Sequence, residues 1–134
     1  MKISFIIFII LLILTGCSTA EKINEVKSLP LMQTRWEIQS INSVKIDSSR
    51  IYLLFEDDGK LRGNAGCNSL GGKYEASAGN IILTNIITTK MACPDLDKEN
   101  LFLRAIQKSE TYKILGSTLT ISGADNTKII FTSK

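Results

Sequence analysis

The stretch IYLLFEDDGKLRGNAGCNSLGG, residues 51–72, decides how this chain folds. Ile51, Leu53 and Phe55 share one face of a β-rich run. Leu61, Gly63 and Ala65 resume the alternation after Asp57-Asp58-Gly59-Lys60. A period of two marks a half-buried strand, and Asp-Gly between two such runs marks a hairpin. The last ten residues, GNAGCNSLGG, place four glycines and two asparagines around Cys67. That composition reads as a loop in which a strand end bends sharply. Glycine there permits positive φ and close backbone approach, while asparagine bonds the local backbone.

Outward from this stretch the same period recurs. Trp36 and Ile38 alternate with Arg35, Glu37 and Gln39. Residues 73–76 and 81–89 read as further strands, the second rich in isoleucine and threonine. Tyr112 and Ile114 precede a Gly116-Ser117 turn, Leu119 and Ile121 alternate with hydroxyl residues, and residues 127–132 form a last strand. Short strands about ten residues apart predict a small antiparallel barrel or sandwich. Trp36 and Tyr112 read as core residues rather than ligand-stacking ones. One segment departs from the pattern. Residues 95–108 lack glycine and proline, begin with acidic residues, and place Leu96, Phe102, Leu103 and Ile106 on one arc of a helix. The stripe is imperfect, because Glu99 intrudes on it and Leu101 falls off it. The expectation is a helix of three to four turns packed on the sheet, with Asp95 or Asp97 as its cap.

The first residues read differently. Lys2 is followed by twelve residues, Ile3 to Leu14, that are apolar apart from Ser4, and then by Leu14-Thr15-Gly16-Cys17. A positive start, a short apolar core and small residues at its end are the parts of a secretory signal. Twelve apolar residues are fewer than the roughly 20 of a membrane span. Leu14-Thr15-Gly16-Cys17 resembles the lipobox of bacterial lipoproteins. That resemblance implies a signal peptide over residues 1–16, acylation of Cys17, and anchoring to a membrane by several acyl chains. Ser18 matches the outer-membrane sorting pattern, so the expected location is the outer membrane of a bacterial envelope. Residues 17–30 are then the lipidated terminus and a polar tether ending at Pro30, and residues 31–134 the folded domain.

Composition narrows the chemistry. The 134 residues carry 16 basic and 13 acidic side chains and no histidine. Removing residues 1–16 takes away Lys2, leaving 15 against 13, with no basic run; nucleic acid is not an expected partner. The glycines around Cys67 do not make a phosphate loop. Gly66 to Lys73 is one residue too long, and Tyr74 replaces the hydroxyl that would hold magnesium. A structural zinc needs four ligands, mostly Cys and His, and none is expected. A catalytic thiol or hydroxyl needs a base, and histidine is missing. The carboxylates Asp57, Asp58 and Glu75 remain as acid–base candidates, though they read better as solvated surface. No catalytic residue, metal or cofactor is therefore expected. With Cys17 lipidated, Cys67 and Cys93 are an even pair in an oxidising compartment, either bonded or two buried thiols. A bond closing about 27 residues would stabilise by about 3.5 kcal/mol.

LRGNAGCNSLGGKY, then MACP, then LFLRAI, then YKILGSTLTI resemble the META domain family, which includes HslJ-like heat-shock-inducible bacterial lipoproteins. The resemblance runs from about Leu31 to Phe131. Its most specific parts are the signature loop, with Gly63, Asn64, Gly66 and Asn68, and Met91-Ala92-Cys93-Pro94. Leu70 stands where many members carry an aromatic residue. The resemblance implies a lipocalin-like β-barrel with one packed helix and a Cys67–Cys93 disulfide. It also implies a non-catalytic envelope protein with a part in stress or antibiotic tolerance, whose partner is another envelope protein or a small ligand. The alternatives are a carrier of an apolar molecule inside the barrel and, less well supported, a carboxylate-based hydrolase.

Overall fold

The computed structural model describes residues 27–47, 50–94 and 96–133. The expected signal segment and Cys17 lie outside them, as does Asp95. The described residues form nine antiparallel strands: β1 (Arg35–Ile41), β2 (Val44–Lys45), β3 (Tyr52–Phe55), β4 (Lys60–Asn64), β5 (Ser69–Ser77), β6 (Asn80–Thr88), β7 (Ser109–Leu115), β8 (Thr118–Gly123) and β9 (Lys128–Ser133); β2, two exposed residues, is not among the expected strands. β1 pairs with β2 and with β3, each strand from β3 to β8 pairs with the next, and β1 also pairs with β9, Trp36 opposite Ser133 and Ile41 opposite Ile129. Eight strands thus close a barrel, with β2 a short hairpin arm on the end of β1. Between barrel and sandwich, the two architectures the alternation allows, the β1–β9 ladder decides for the barrel.

The stretch quoted first behaves as a hairpin. Leu53 faces Gly63 and Phe55 faces Leu61 across β3 and β4. Its glycine-rich end is less of a loop than its composition implies. Gly63 and Asn64 finish β4, and Ser69, Leu70, Gly71 and Gly72 begin β5. Only residues 65–68 turn, with Gly66 at φ +133°. Gly63 is needed within the ladder itself: a Cβ there would lie 2.2 Å from the Tyr52 carbonyl oxygen.

An eight-stranded barrel is just wide enough for its own side chains to fill. Trp36, Leu53, Phe55, Leu61, Ile81, Leu119, Ile121, Ile129 and Phe131 are each at most 1% exposed and occupy this interior. Phe55 meets Tyr74 edge-on at 4.9 Å. Tyr112, expected in the core, is only partly buried against it.

Both ends are covered. Helix α1 (Asp97–Ile106) connects β6 to β7 at one end. It sends Phe102 and Ile106, both fully buried, into the core, where Phe102 meets Phe131 edge-on. At the other end the segment before β1 crosses the barrel as a strap. The Leu29 amide donates to the Gly116 carbonyl in the β7–β8 turn, and the Gln33 amide donates to Phe55 at the end of β3. Trp36 Nε1 donates to the Leu31 carbonyl from inside, at 3.0 Å.

The helix differs from its expectation in two ways. It is shorter, ten residues, and its N-cap is Leu96, with no side-chain capping bond; Asp97 stands inside the first turn, and Asp95 lies outside the described residues. Its buried face is Glu99, Phe102, Ala105 and Ile106, while Leu96 is 36% exposed. Phe102 and Ile106 turn inward as the apolar arc predicts, and contact with the β4–β5 loop brings Glu99 in with them.

Candidate functional site

The helix-capped end gathers most of the residues singled out from the sequence. Within the β4–β5 loop, Asn64 Oδ1 accepts the Gly66 amide at 2.8 Å, the local turn bond expected of an asparagine. Asn68 does more than that. Its backbone carbonyl accepts the Ala65 amide, and its side chain leaves the loop altogether. Asn68 Oδ1 accepts the Thr89 hydroxyl at 2.9 Å and the Met91 amide at 2.7 Å, fixing the chain beyond β6. Asn68 Nδ2 donates to Glu99 Oε1 at 2.7 Å.

Glu99 completes the arrangement from α1. Its Oε2 accepts the Cys67 and Asn68 amides at 3.1 and 3.0 Å. The side chain that spoils the apolar stripe is thus the one that ties the helix to the loop. It is 5% exposed, and every buried polar side-chain atom among the described residues has a partner. Burial pushes the Glu99 carboxyl upward, but the bonds from the Asn68 side chain and the Asn68 and Cys67 amides outweigh it. The net result lies below the ordinary glutamate value, so the group is held ionised.

Cys67 and Cys93 are joined in a disulfide with Cα atoms 6.4 Å apart. The bond links the same loop to the segment leading into α1, so one covalent and three charge-assisted contacts act in parallel. Beside it opens a cleft of about 280 Å³, lined by the two cysteines, Asp47, Arg50, Lys98 and Ile51 among others. The cleft has mixed charge and a partly exposed disulfide in its wall.

The other acid–base candidates do not join this site. Asp57, Asp58 and Glu75 are exposed, and Asp58 is engaged by Lys60. The described residues contain no group of three His, Cys, Asp or Glu side chains arranged to hold a metal ion. Sequence reasoning missed Glu99, Thr89 and the Met91 amide. A signal for the first existed: one acid on an otherwise apolar arc, two residues inside the helix.

The META domain family model matches residues 29–134. The chain belongs to the META domain family. The match covers the whole barrel, its strap and its helix. Solved structures share the fold. One is an NMR structure of a protein from Burkholderia xenovorans, 17% identical with a TM-score of 0.62, covering 78% of this chain and 83% of that one. Another is the crystal structure of a DUF4847 family protein from Bacteroides vulgatus, 14% identical with a TM-score of 0.58, covering 76% and 93%. No curated protein sequence matches the chain. In this META domain the signature loop is the part that bonds outward, through Cys67 and Asn68, to α1 and the end of β6.

Proposed function

We propose that this META domain protein is a lipid-anchored component of the bacterial cell envelope that acts by binding, and that the cleft beside the Cys67–Cys93 disulfide is its contact surface. The observation carrying this reading is the filled interior. With Trp36, Phe55 and Phe131 fully buried inside the barrel, a ligand has to be met at the surface. The same packing weighs against a carrier of an apolar molecule within the barrel. The rigid loop beside the cleft, held by the disulfide and Glu99, keeps the surface preorganised, which lowers the entropy cost of binding. A hydrolase is disfavoured because Glu99 is saturated by donors and held ionised, which suits a tie rather than a proton donor. A part in envelope stress or antibiotic tolerance fits the family resemblance.

In-cell photo-crosslinking from a photo-reactive residue at position 47, in place of Asp47 on the rim of the cleft, tests the binding surface. Recovery of one envelope protein or a small adduct, lost when Arg50 is changed to Glu, supports the reading; labelling as diffuse as that from Lys128 refutes it. Native mass spectrometry of the protein purified from membranes tests the carrier alternative, which a clean mass without a bound molecule excludes. Anchoring is tested by Cys17→Ala, which should abolish acyl labelling and release the chain from the membrane fraction.

A further inference from the structure

The two ends of the barrel differ in what they expose. The register places the β7–β8 turn, the β3–β4 turn and the strap at one end, and α1, the disulfide and the cleft at the other. At the strap end three large apolar side chains are exposed: Leu29 at 39%, Met32 at 44% and Leu115 at 58%. The strap is clamped where it meets the β7–β8 turn. The Ser28 hydroxyl donates to the Ile114 carbonyl and accepts the Gly116 amide. Lys113 and Leu115 share the outward face of this hairpin with Thr118 and Thr120, around a shallow groove of about 220 Å³. Lys113 and Lys27 are both exposed. No acidic residue occurs from Thr111 to Ala124. The acids of this end belong to the β3–β4 turn, β1 and β5: Lys60 engages Asp58, Arg62 engages Glu56, Arg35 engages Glu37, and Asp57 and Glu75 are exposed.

The described residues begin here, at Lys27. Ten residues lie between Cys17 and Ser28, eleven Cα–Cα steps with a reach of at most about 40 Å at full extension. We infer that the β7–β8 hairpin and the strap form a membrane-resting face, with Leu115 and Leu29 at the headgroup boundary and Lys27 and Lys113 toward anionic headgroups. This rests on the lipid-anchor reading above. Exposed apolar side chains flanked by lysines suit that interface, because the apolar part enters the acyl boundary while the ammonium stays among phosphates. Such a pose holds the disulfide cleft on the side away from the bilayer, open to a partner.

The test uses the full acylated chain in phosphatidylcholine–phosphatidylglycerol vesicles, with brominated lipid as a short-range quencher. Leu115→Trp reports on the proposed face and Val44→Trp, on the β1–β2 arm at the opposite end, is the control. The unsubstituted chain sets the baseline from buried Trp36. The expected result is at least threefold stronger quenching for the Leu115 variant than for the control. Adding Lys27→Glu and Lys113→Glu to that variant should at least halve its quenching. Equal, weak quenching at both positions in protein that floats with the vesicles overturns the resting face and leaves the anchor intact. Protein that does not float overturns both.

Discussion

Glu99 Oε2 accepts two consecutive backbone amides, those of Cys67 and Asn68, while Glu99 Oε1 accepts the Asn68 side chain. A buried carboxylate in this position acts as an anion held by a loop, and it joins a helix to a hairpin more than 30 residues earlier. Replacing Glu99 with Gln removes the charge and presents an NH₂ group where an acceptor is required. Hydrogen bonds to charged groups contribute about 1.5–3 kcal/mol each, and buried donors left unmatched cost more. Glu99→Gln should therefore lower stability by about 3 kcal/mol, read as a shift of the urea midpoint with unchanged slope. A loss under about 1 kcal/mol would contradict the role given to the carboxylate.

The same carboxyl predicts a pH dependence. Its folded pKa lies below the ordinary value of 4.5, so on acidification the unfolded chain takes up the proton first. Stability from this group is then fully present above about pH 4.5 and is lost as pH falls through the lower folded value. The difference in unfolding free energy between wild type and Glu99→Gln should be constant from neutrality to about pH 5 and shrink below it. A difference that grows on acidification would reverse the sign.

Reduction should weaken the domain without unfolding it. The disulfide stabilises by about 3.5 kcal/mol in the chain-entropy view, but the Glu99 bonds tie the same loop to α1 itself, just beyond Cys93. Cys67→Ser with Cys93→Ser should stay folded by near-ultraviolet circular dichroism, with a lower melting temperature. Adding Glu99→Gln should cost more than the two changes measured apart, since the contacts support one another. Alkylation with and without reduction should differ by two labels on these cysteines.

Gly63→Ala should be among the most damaging single substitutions. The added methyl would meet the Tyr52 carbonyl oxygen at 2.2 Å, and the paired backbone of β3 has little room to yield. A cost above about 3 kcal/mol, or insoluble expression, is expected. Gly71→Ala is the control. Its methyl would find ordinary contact with Ile87 at 3.7 Å and should cost little.

Phe102→Ala tests whether the helix closes the barrel end. It removes a fully buried ring from beside Phe131 and should cost about 3–5 kcal/mol. Leu96→Ala, on the exposed side of the same segment, should cost under about 1 kcal/mol by equilibrium denaturation.

The sequence alone determined the strand alternation, the Asp-Gly hairpin, a helix within residues 95–108, and the family signature around Cys67 and Cys93. These features follow from local periodicity and turn chemistry, which a few adjacent residues express. Tertiary structure alone decided that β1 meets β9 to close the barrel and that aromatic side chains fill it. It also decided that Gly71 and Gly72 belong to a strand, and that Leu96 faces outward while Glu99 faces in. The helix stripe shows the reason. Periodicity ranks side chains by hydrophobicity, and on that scale Glu99 is a flaw. The amides of Cys67 and Asn68, brought there by strand pairing, make the carboxylate the best-satisfied group on that face. A contact between residues 68 and 99 depends on how the chain between them folds back, and no local pattern records it.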